Sequence, residues 1–277
     1  MKIKFLTGNK GKLQEAIDIF NKYDITIETI NIDLPEIQTI SVKEVINNKL
    51  DEAIKHLGIG FTLEHDEFLM VDDTGLGIDA FNDKTDKTDK TDKTFDTENK
   101  LPGALVKFFL KNMSSTKFLQ FSEGSPAYAV TWIGLLDNEG NKFFSNGCNT
   151  GYIRSNGAGK YGFGWDELFF PSYGNGRSLA QIPPEEKNKQ SFRFFALKGV
   201  LEYLQTKKNL LRRAHRIAKK TKSSKKSDNP NKTKSSKSSK KSDKLNKTIK
   251  SKTSKTSKTS KTSKTSKNKK HQKTKNR

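Results

Sequence analysis

After Leu211 the sequence almost stops using large apolar residues, and it ends in Lys, Ser, Thr and Asn with the repeat SKTSKTSKTSKTSK. A segment of that composition cannot bury enough apolar surface to offset the entropy of ordering its backbone, so it is predicted to be disordered. Whatever core the 277-residue chain builds must come from about its first 205 residues. The charge divides at the same place. From Thr206 onward there are 29 Lys/Arg against 2 Asp/Glu, a net of +27 within the whole-chain +22, which leaves −5 for residues 1–205. The expected organisation is a mildly acidic domain, 1–205, followed by a polycationic tail, 206–277. The tail fits two roles: weak, salt-sensitive contact with RNA or DNA through counterion release, or a solubilising appendage grown by repeat slippage.

A body of that size can hold one sizeable core or two lobes. The single cysteine, Cys148, excludes an intramolecular disulfide and fits a reducing compartment. No apolar run approaches the roughly 18 residues of a membrane helix, and the opening MKIKFLTG lacks the apolar stretch of a signal peptide. A cytoplasmic placement without membrane contact is expected, with the Lys/Arg clusters leaving nuclear import open.

The pattern along the body alternates. KIKFL reads as a strand, TGNKGK as a turn, and residues 12–23 as a helix with Leu13, Ala16, Ile17 and Phe20 on one face. ITIETINID reads as a second strand. Past a loop at LPEIQ, a helix is expected over residues 41–56, opened by a capping-box pattern of Ser41 and Glu44. DEFLMVDD reads as a buried strand ending in two aspartates. Four DKT units at residues 83–94, within a low-complexity insertion over 82–100, read as filler in a loop, where lengthening costs little closure entropy. Pro102 and Gly103 then open a helix with Leu105, Phe108, Phe109 and Met113 on its apolar face. AYAVTWIGLLD and KFFSNGC form a hairpin about DNEGNK, NTGYI adds further strand, and QSFRFFALKGVLEYLQ is a closing helix. Alternating strands and helices predict an α/β fold.

Three features carry chemistry. TGNKGK joins a strand to a helix start, where backbone N–H groups suit phosphate and Lys12 adds a full charge; it is not a Walker A loop. The GAGKYG run at 157–162 matches a dinucleotide fingerprint, but FGWDELFFP follows it and a helix there is not expected. In VDDTGL, alternation sends the Asp72 and Asp73 side chains to opposite faces of the strand. Carboxylates at a strand end suit Mg²⁺, a hard ion that shares its shell with substrate phosphates, and Glu36 is a candidate second ligand. Solvated turn acids are the plain alternative.

Taken in order, TGNKGK, IDLPEIQ, NNKLDEA, VDDTGL, LPGALVKFF, FGWDELFFP and SFRFFAL resemble the inosine triphosphate pyrophosphatase family over residues 3–204, interrupted by the DKT insertion. The resemblance implies an elongated α/β fold, with two lobes around a long mixed sheet and a central cleft, present as a homodimer. It implies Mg²⁺-dependent hydrolysis of ITP, dITP and XTP to monophosphate and pyrophosphate. Carried over by motif, Thr7, Gly8, Asn9, Lys10, Gly11 and Lys12 would wrap the triphosphate, and Lys49 and Lys107 would contact phosphates. Glu36 and Asp73 would hold the metal, Asp73 would activate water, and Thr74 would sit beside the substrate. Phe163, Gly164, Trp165 and Asp166 would line the base pocket, with Lys187 and Arg193 reaching the base. The family reads S-H-R where this chain has Ser191, Phe192 and Arg193, so the expectation is relaxed discrimination among purines. A rival on a related fold would act on modified pyrimidine triphosphates, against which FGWD and Arg193 argue. The contrasting function is a nucleic-acid-binding protein acting through its tail, with a retired catalytic body.

Overall fold

The computed structural model describes residues 1–58, 60–82 and 100–227, with the DKT units lying outside them. In chain order the strands are β1 (Lys2–Leu6), β2 (Thr26–Ile30), β3 (Glu67–Ile78), β4 (Pro102–Gly103), β5 (Pro126–Leu136), β6 (Lys142–Ile153) and β7 (Phe169–Pro171). The helices are α1 (Lys10–Phe20), α2 (Val42–Leu57), α3 (Val106–Asn112), α4 (Ser115–Ser122), α5 (Pro184–Gln190) and α6 (Phe192–Ser227). The strands form one mixed sheet in the order β2-β1-β3-β5-β6-β7, with β4 also on β3. β1 runs parallel to β2 and β3, and the remaining pairs are antiparallel. The predicted α/β class holds.

Burial on β3 follows the two-residue period of a strand. Phe68 and Met70 pack with Ile3, Phe5, Phe20 and Leu197 on the face covered by α1 and α6. Leu69 and Val71 pack with Val42, Ile46 and Leu50 of α2 on the other. Further along, Leu76 joins a third cluster with Trp165, Phe169 and Phe192.

β3 does not end at its two aspartates. It runs on for five more residues, and this continuation shapes the cleft. β1 pairs with β3 as far as Val71, and β4 pairs with Leu76 and Gly77. No described strand occupies that edge of β3 at residues 72–75. The sheet is therefore notched beside Asp72, Asp73 and Thr74, while β5 holds their other edge through Ile133, Trp132 and Thr131.

Other elements differ in detail from the sequence expectation. Ser41 does cap α2, its Oγ accepting from the Glu44 N–H at 3.4 Å, but the Glu44 carboxylate accepts from the Thr39 hydroxyl at 2.8 Å instead of closing a capping box. Pro102 and Gly103 form β4, so α3 starts later, at Val106. Val106 is its buried residue, and Phe108 is exposed. On α1 the buried set is Glu15, Ala16, Ile19 and Phe20, rotated from the predicted stripe. The composition break at 206 is not a break in α6, which continues to Ser227. Its first half is anchored by buried Ala196, Leu197, Val200, Leu201 and Leu204. Once that half is nucleated by packing, adding polar residues costs little. Lys207, beyond the expected boundary, pairs with buried Asp137 at 2.9 Å. The start of α6 lies close against β6: a Cβ on Gly147 would collide with the Phe192 carbonyl oxygen. That approach fixes where Phe192 and Arg193 enter the notch.

Candidate active site

The notch opens into a cleft of about 360 Å³. Of the residues expected to contact substrate or metal, most border it. Thr7, Gly8, Asn9 and Lys12 come from the β1–α1 junction, Glu36 and Lys49 from the α2 side, and Lys107 from α3. Asp73 and Thr74 come from β3, and Phe163, Gly164, Trp165, Asp166, Phe192 and Arg193 close the far end. Lys10, Gly11 and Lys187 do not line it.

The β1–α1 turn satisfies much of its own hydrogen bonding. Asn9 caps α1, its Oδ1 accepting from the N–H groups of Gly11 at 2.9 Å and Lys12 at 3.2 Å, while the Asn9 N–H donates to Thr7 Oγ1 at 3.1 Å. Two of the backbone donors that a phosphate could have used at the helix start are thus taken by the cap. Gly11 is needed for space, since a Cβ there would overlap the Phe163 ring. Lys12 is the residue of this turn that carries charge into the cleft.

The paired aspartates divide as alternation requires. Asp73 faces the α2 side, 3.7 Å from Lys49 Nζ and 4.0 Å from Lys12 Nζ. Asp72 faces the α1/α6 side and is 4% exposed; its Oδ1 accepts from Lys12 Nζ at 3.1 Å, and Arg193 Nε stands 3.5 Å from its Oδ2. Burial alone would raise the Asp72 pKa, but Lys12, Arg193 and Lys49 outweigh it and hold the carboxyl below its ordinary range. Burial likewise opposes the charge on Lys49, and Asp73 and Glu36 more than restore it.

Glu36 bridges two cations, Lys49 at 2.7 Å and Lys107 at 3.0 Å. Despite its burial, those lysines keep its pKa low. Glu36 and Asp73 thus flank one ammonium group from two sides. The donor set suits a hard divalent ion that completes its shell with substrate oxygens. No cluster of three or more His, Cys, Asp or Glu placed to hold a metal occurs among the described residues.

Behind the cleft lies a buried charge network. Glu15 accepts from Arg193 Nη1 at 2.8 Å and pairs with Lys187 at 3.1 Å; Lys187 also donates to Asp166 Oδ2 at 2.8 Å. Arg193 Nη2 donates to Thr74 Oγ1 at 2.8 Å, and that hydroxyl meets Thr131 at 2.9 Å. Lys187 therefore braces the wall of the cleft from behind. Glu15 is pushed up by burial but pulled lower overall by Arg193 and Lys187, whereas burial wins at Asp166 and raises its pKa. Glu15 was missed in the sequence, where it sat beside the expected stripe; its signal was the four-residue spacing to Ile19 on the same face. At the aromatic end, Phe192 stacks on Trp165 with centroids 5.8 Å apart and planes 25° apart.

A model of the Ham1 family matches residues 3–203. The chain belongs to the Ham1 family. It is 33% identical over 198 residues to an inosine triphosphate pyrophosphatase of Candida glabrata, covering 69% of this chain and 91% of that protein. It is 30% identical over 203 residues to a dITP/XTP pyrophosphatase of Methanopyrus kandleri, covering 73% and 96%. Among solved structures, a HAM1 protein of Coxiella burnetii aligns with a TM-score of 0.54 at 23% identity, over 74% of this chain and 99% of that one, and supports the fold. The resemblance read from seven motifs is borne out. The part of α6 beyond residue 203 and the polycationic tail lie outside the matched stretch.

In this Ham1-family chain, Glu15 offsets two buried cations at once. Removing one partner from a buried ion pair costs about 3 kcal/mol or more, because the remaining charge stays desolvated. Glu15→Gln is expected to lower the unfolding free energy in urea by about that amount at neutral pH, whereas Lys55→Gln, in a pair open to solvent, should leave it essentially unchanged.

Proposed function

We propose that the chain is a nucleoside triphosphate pyrophosphatase that converts ITP, dITP and XTP to the monophosphate and pyrophosphate with Mg²⁺. The observation that carries this reading is the notch in the sheet, which lets Asp72 and Asp73 reach one cleft from opposite faces among Lys12, Lys49 and Lys107. Family membership and the relatives' activities point the same way.

In the mechanism, Glu36 and Asp73 would hold Mg²⁺, which when bound would neutralise charge at the phosphates and lower the pKa of the attacking water. Asp73 accepts a proton from that water as its oxygen bonds to the α-phosphorus and the bond to the bridging oxygen of the pyrophosphate breaks. The three lysines stabilise the negative charge that builds on the leaving pyrophosphate. The stacked Phe192 and Trp165, with Phe163, form an apolar slot for a purine. Arg193 spends one N–H on Glu15 and one on Thr74, which leaves others for the 6-keto oxygen of hypoxanthine or xanthine. Adenine presents an amino group there and leaves that donor unmet.

Phe192 fills the place where the family pattern has histidine. Its burial and its stack on Trp165 give shape selection for a flat base without a donor or acceptor to read its edge. The retired-body alternative finds no support in a cleft so fully supplied with charged groups. For the basic extension we propose contact with nucleic acid in addition to catalysis. Exposed Arg212, Arg213 and Arg216 line one shallow depression on α6, and none makes an ion pair among the described residues.

The deciding assay is pyrophosphate release with Mg²⁺ from dITP, XTP, dGTP, dATP and dTTP. Release from dITP and XTP is expected, with Asp73→Asn cutting kcat by about a thousandfold or more; no release from a folded chain would refute the reading. In the same assay with ITP and GTP, Phe192→His is expected to widen the ITP-to-GTP ratio of kcat/KM by roughly tenfold, as one gained polar contact allows; an unchanged ratio would remove Phe192 from base selection. Retention of single-stranded RNA should fall steeply between 50 and 200 mM salt, and replacing Arg212, Arg213 and Arg216 with Ser should reduce the slope. A slope unaffected by the triple change would assign any binding elsewhere.

A further inference from the structure

Two buried polar atoms in the network face each other without bonding. Asp72 Oδ2 and Arg193 Nε are both closed off from solvent, and neither makes a hydrogen bond. They carry opposite charge and stand only 3.5 Å apart. Their attraction replaces part of the hydration each has given up, but neither gains a hydrogen bond, which is costly for both. The cause is visible in what holds each residue back. The guanidinium is tied by Nη1 to Glu15 and by Nη2 to Thr74, both at 2.8 Å. The carboxylate is tied by Oδ1 to Lys12 at 3.1 Å. Arg193 borders the aromatic end of the cleft, and Lys12 borders the lysine end. Asp72 is the group that touches both.

We propose that Asp72 is a positioning residue that couples base recognition at Arg193 to phosphate binding at Lys12. A ligand oxygen that bonds a spare Nη N–H competes with the pull of Thr74 and lets the guanidinium close the remaining gap onto Asp72 Oδ2. A carboxylate paired on its second oxygen is a weaker acceptor on its first, so its hold on the Lys12 ammonium relaxes. Lys12 then becomes available to the phosphates. Without a base at Arg193, Asp72 retains Lys12. The correct base thereby strengthens the grip on the triphosphate, and the two ends of the substrate are read jointly. By linkage the effect is reciprocal, so phosphate at Lys12 tightens the base site by the same factor. This inference rests on the cleft being a nucleoside triphosphate site, and it assigns Asp72 a task distinct from that of Asp73.

The test uses the full chain and two separate probes, inosine and inorganic tripolyphosphate, by titration calorimetry in EDTA, so that protein cations alone hold the phosphates. Saturating inosine is expected to tighten tripolyphosphate binding about fivefold or more. In Asp72→Asn both probes should still bind, with the mutual effect reduced to about onefold. In Arg193→Gln the effect should likewise vanish, and tripolyphosphate alone should bind more weakly, because Asp72 is left to Lys12. A purely bracing Asp72 would change the melting temperature and leave the mutual effect intact, which would overturn the proposal. Should Asp72→Asn fail to fold, Lys12→Met gives the same decision: residual tripolyphosphate binding that still responds to inosine overturns it. Independent binding of the probes in the unsubstituted chain, or no tripolyphosphate binding there, also overturns it. If ITP turnover with Mg²⁺ persists in either case, only the coupling falls; if turnover is absent as well, the reading of the cleft falls with it.

Discussion

The carboxylate of Asp72 is the interaction on which the rest of the structure depends. A charge at 4% exposure is stable only where cations and donors replace its lost water. Here they come from Lys12 on α1 and Arg193 at the start of α6, with Lys49 on α2 contributing through its field. Those helices lie on both faces of the sheet, so one ionised group ties α1, α2 and α6 to the middle of β3. Arg193 extends the tie through Glu15 to Lys187 and Asp166. The charges alternate in sign along this path, which lets a buried string of ions persist beside three apolar clusters.

The same strand shows why the cleft sits where it does. A mixed sheet whose parallel partner stops at Val71 and whose next described partner on that edge begins at Leu76 has no described strand between them, and Lys49 Nζ donates to the Asp72 carbonyl there at 3.3 Å. Side chains that alternate across a strand are usually separated by the sheet itself. At a notch both faces open to the same space, and Asp72 and Asp73 can act at one site although they point in opposite directions.

Much of this was legible in sequence. The continuous apolar run FLMV, the β5–β6 hairpin and the Ser41 cap are local signals, and they hold. The opposite facing of the two aspartates also follows from strand period alone. What was hidden is non-local. β3 continues past its acids because β5 pairs with it out to Ile78, whose partner Ala127 is 49 residues away in sequence. Glu15 looks like an ordinary surface acid until Arg193 and Lys187, far along the chain, arrive beside it. Lys187 reads as a substrate contact by motif, yet tertiary packing places it behind the cleft wall. The helix past residue 206 was hidden for a different reason: composition reports what a segment can bury, and α6 there is supported by the packed half that precedes it.

The placement of Phe192 joins these levels. Two constraints fix its backbone, the contact of its carbonyl with Gly147 and the Ser191 hydroxyl that accepts from the Phe194 N–H at 3.1 Å to cap the helix start. Its ring is then committed to the slot beside Trp165. Arg193, one residue on, is turned toward Glu15 and Thr74 by the helix itself. An aromatic ring without polar atoms at position 192 would therefore leave the guanidinium, on the proposed reading of the cleft, as the main polar reader of a base at this end. That concentrates recognition on a group already shared with Asp72. On that proposed reading, selectivity would depend less on a set of independent contacts along the base edge, and more on how firmly the buried network holds a single arginine.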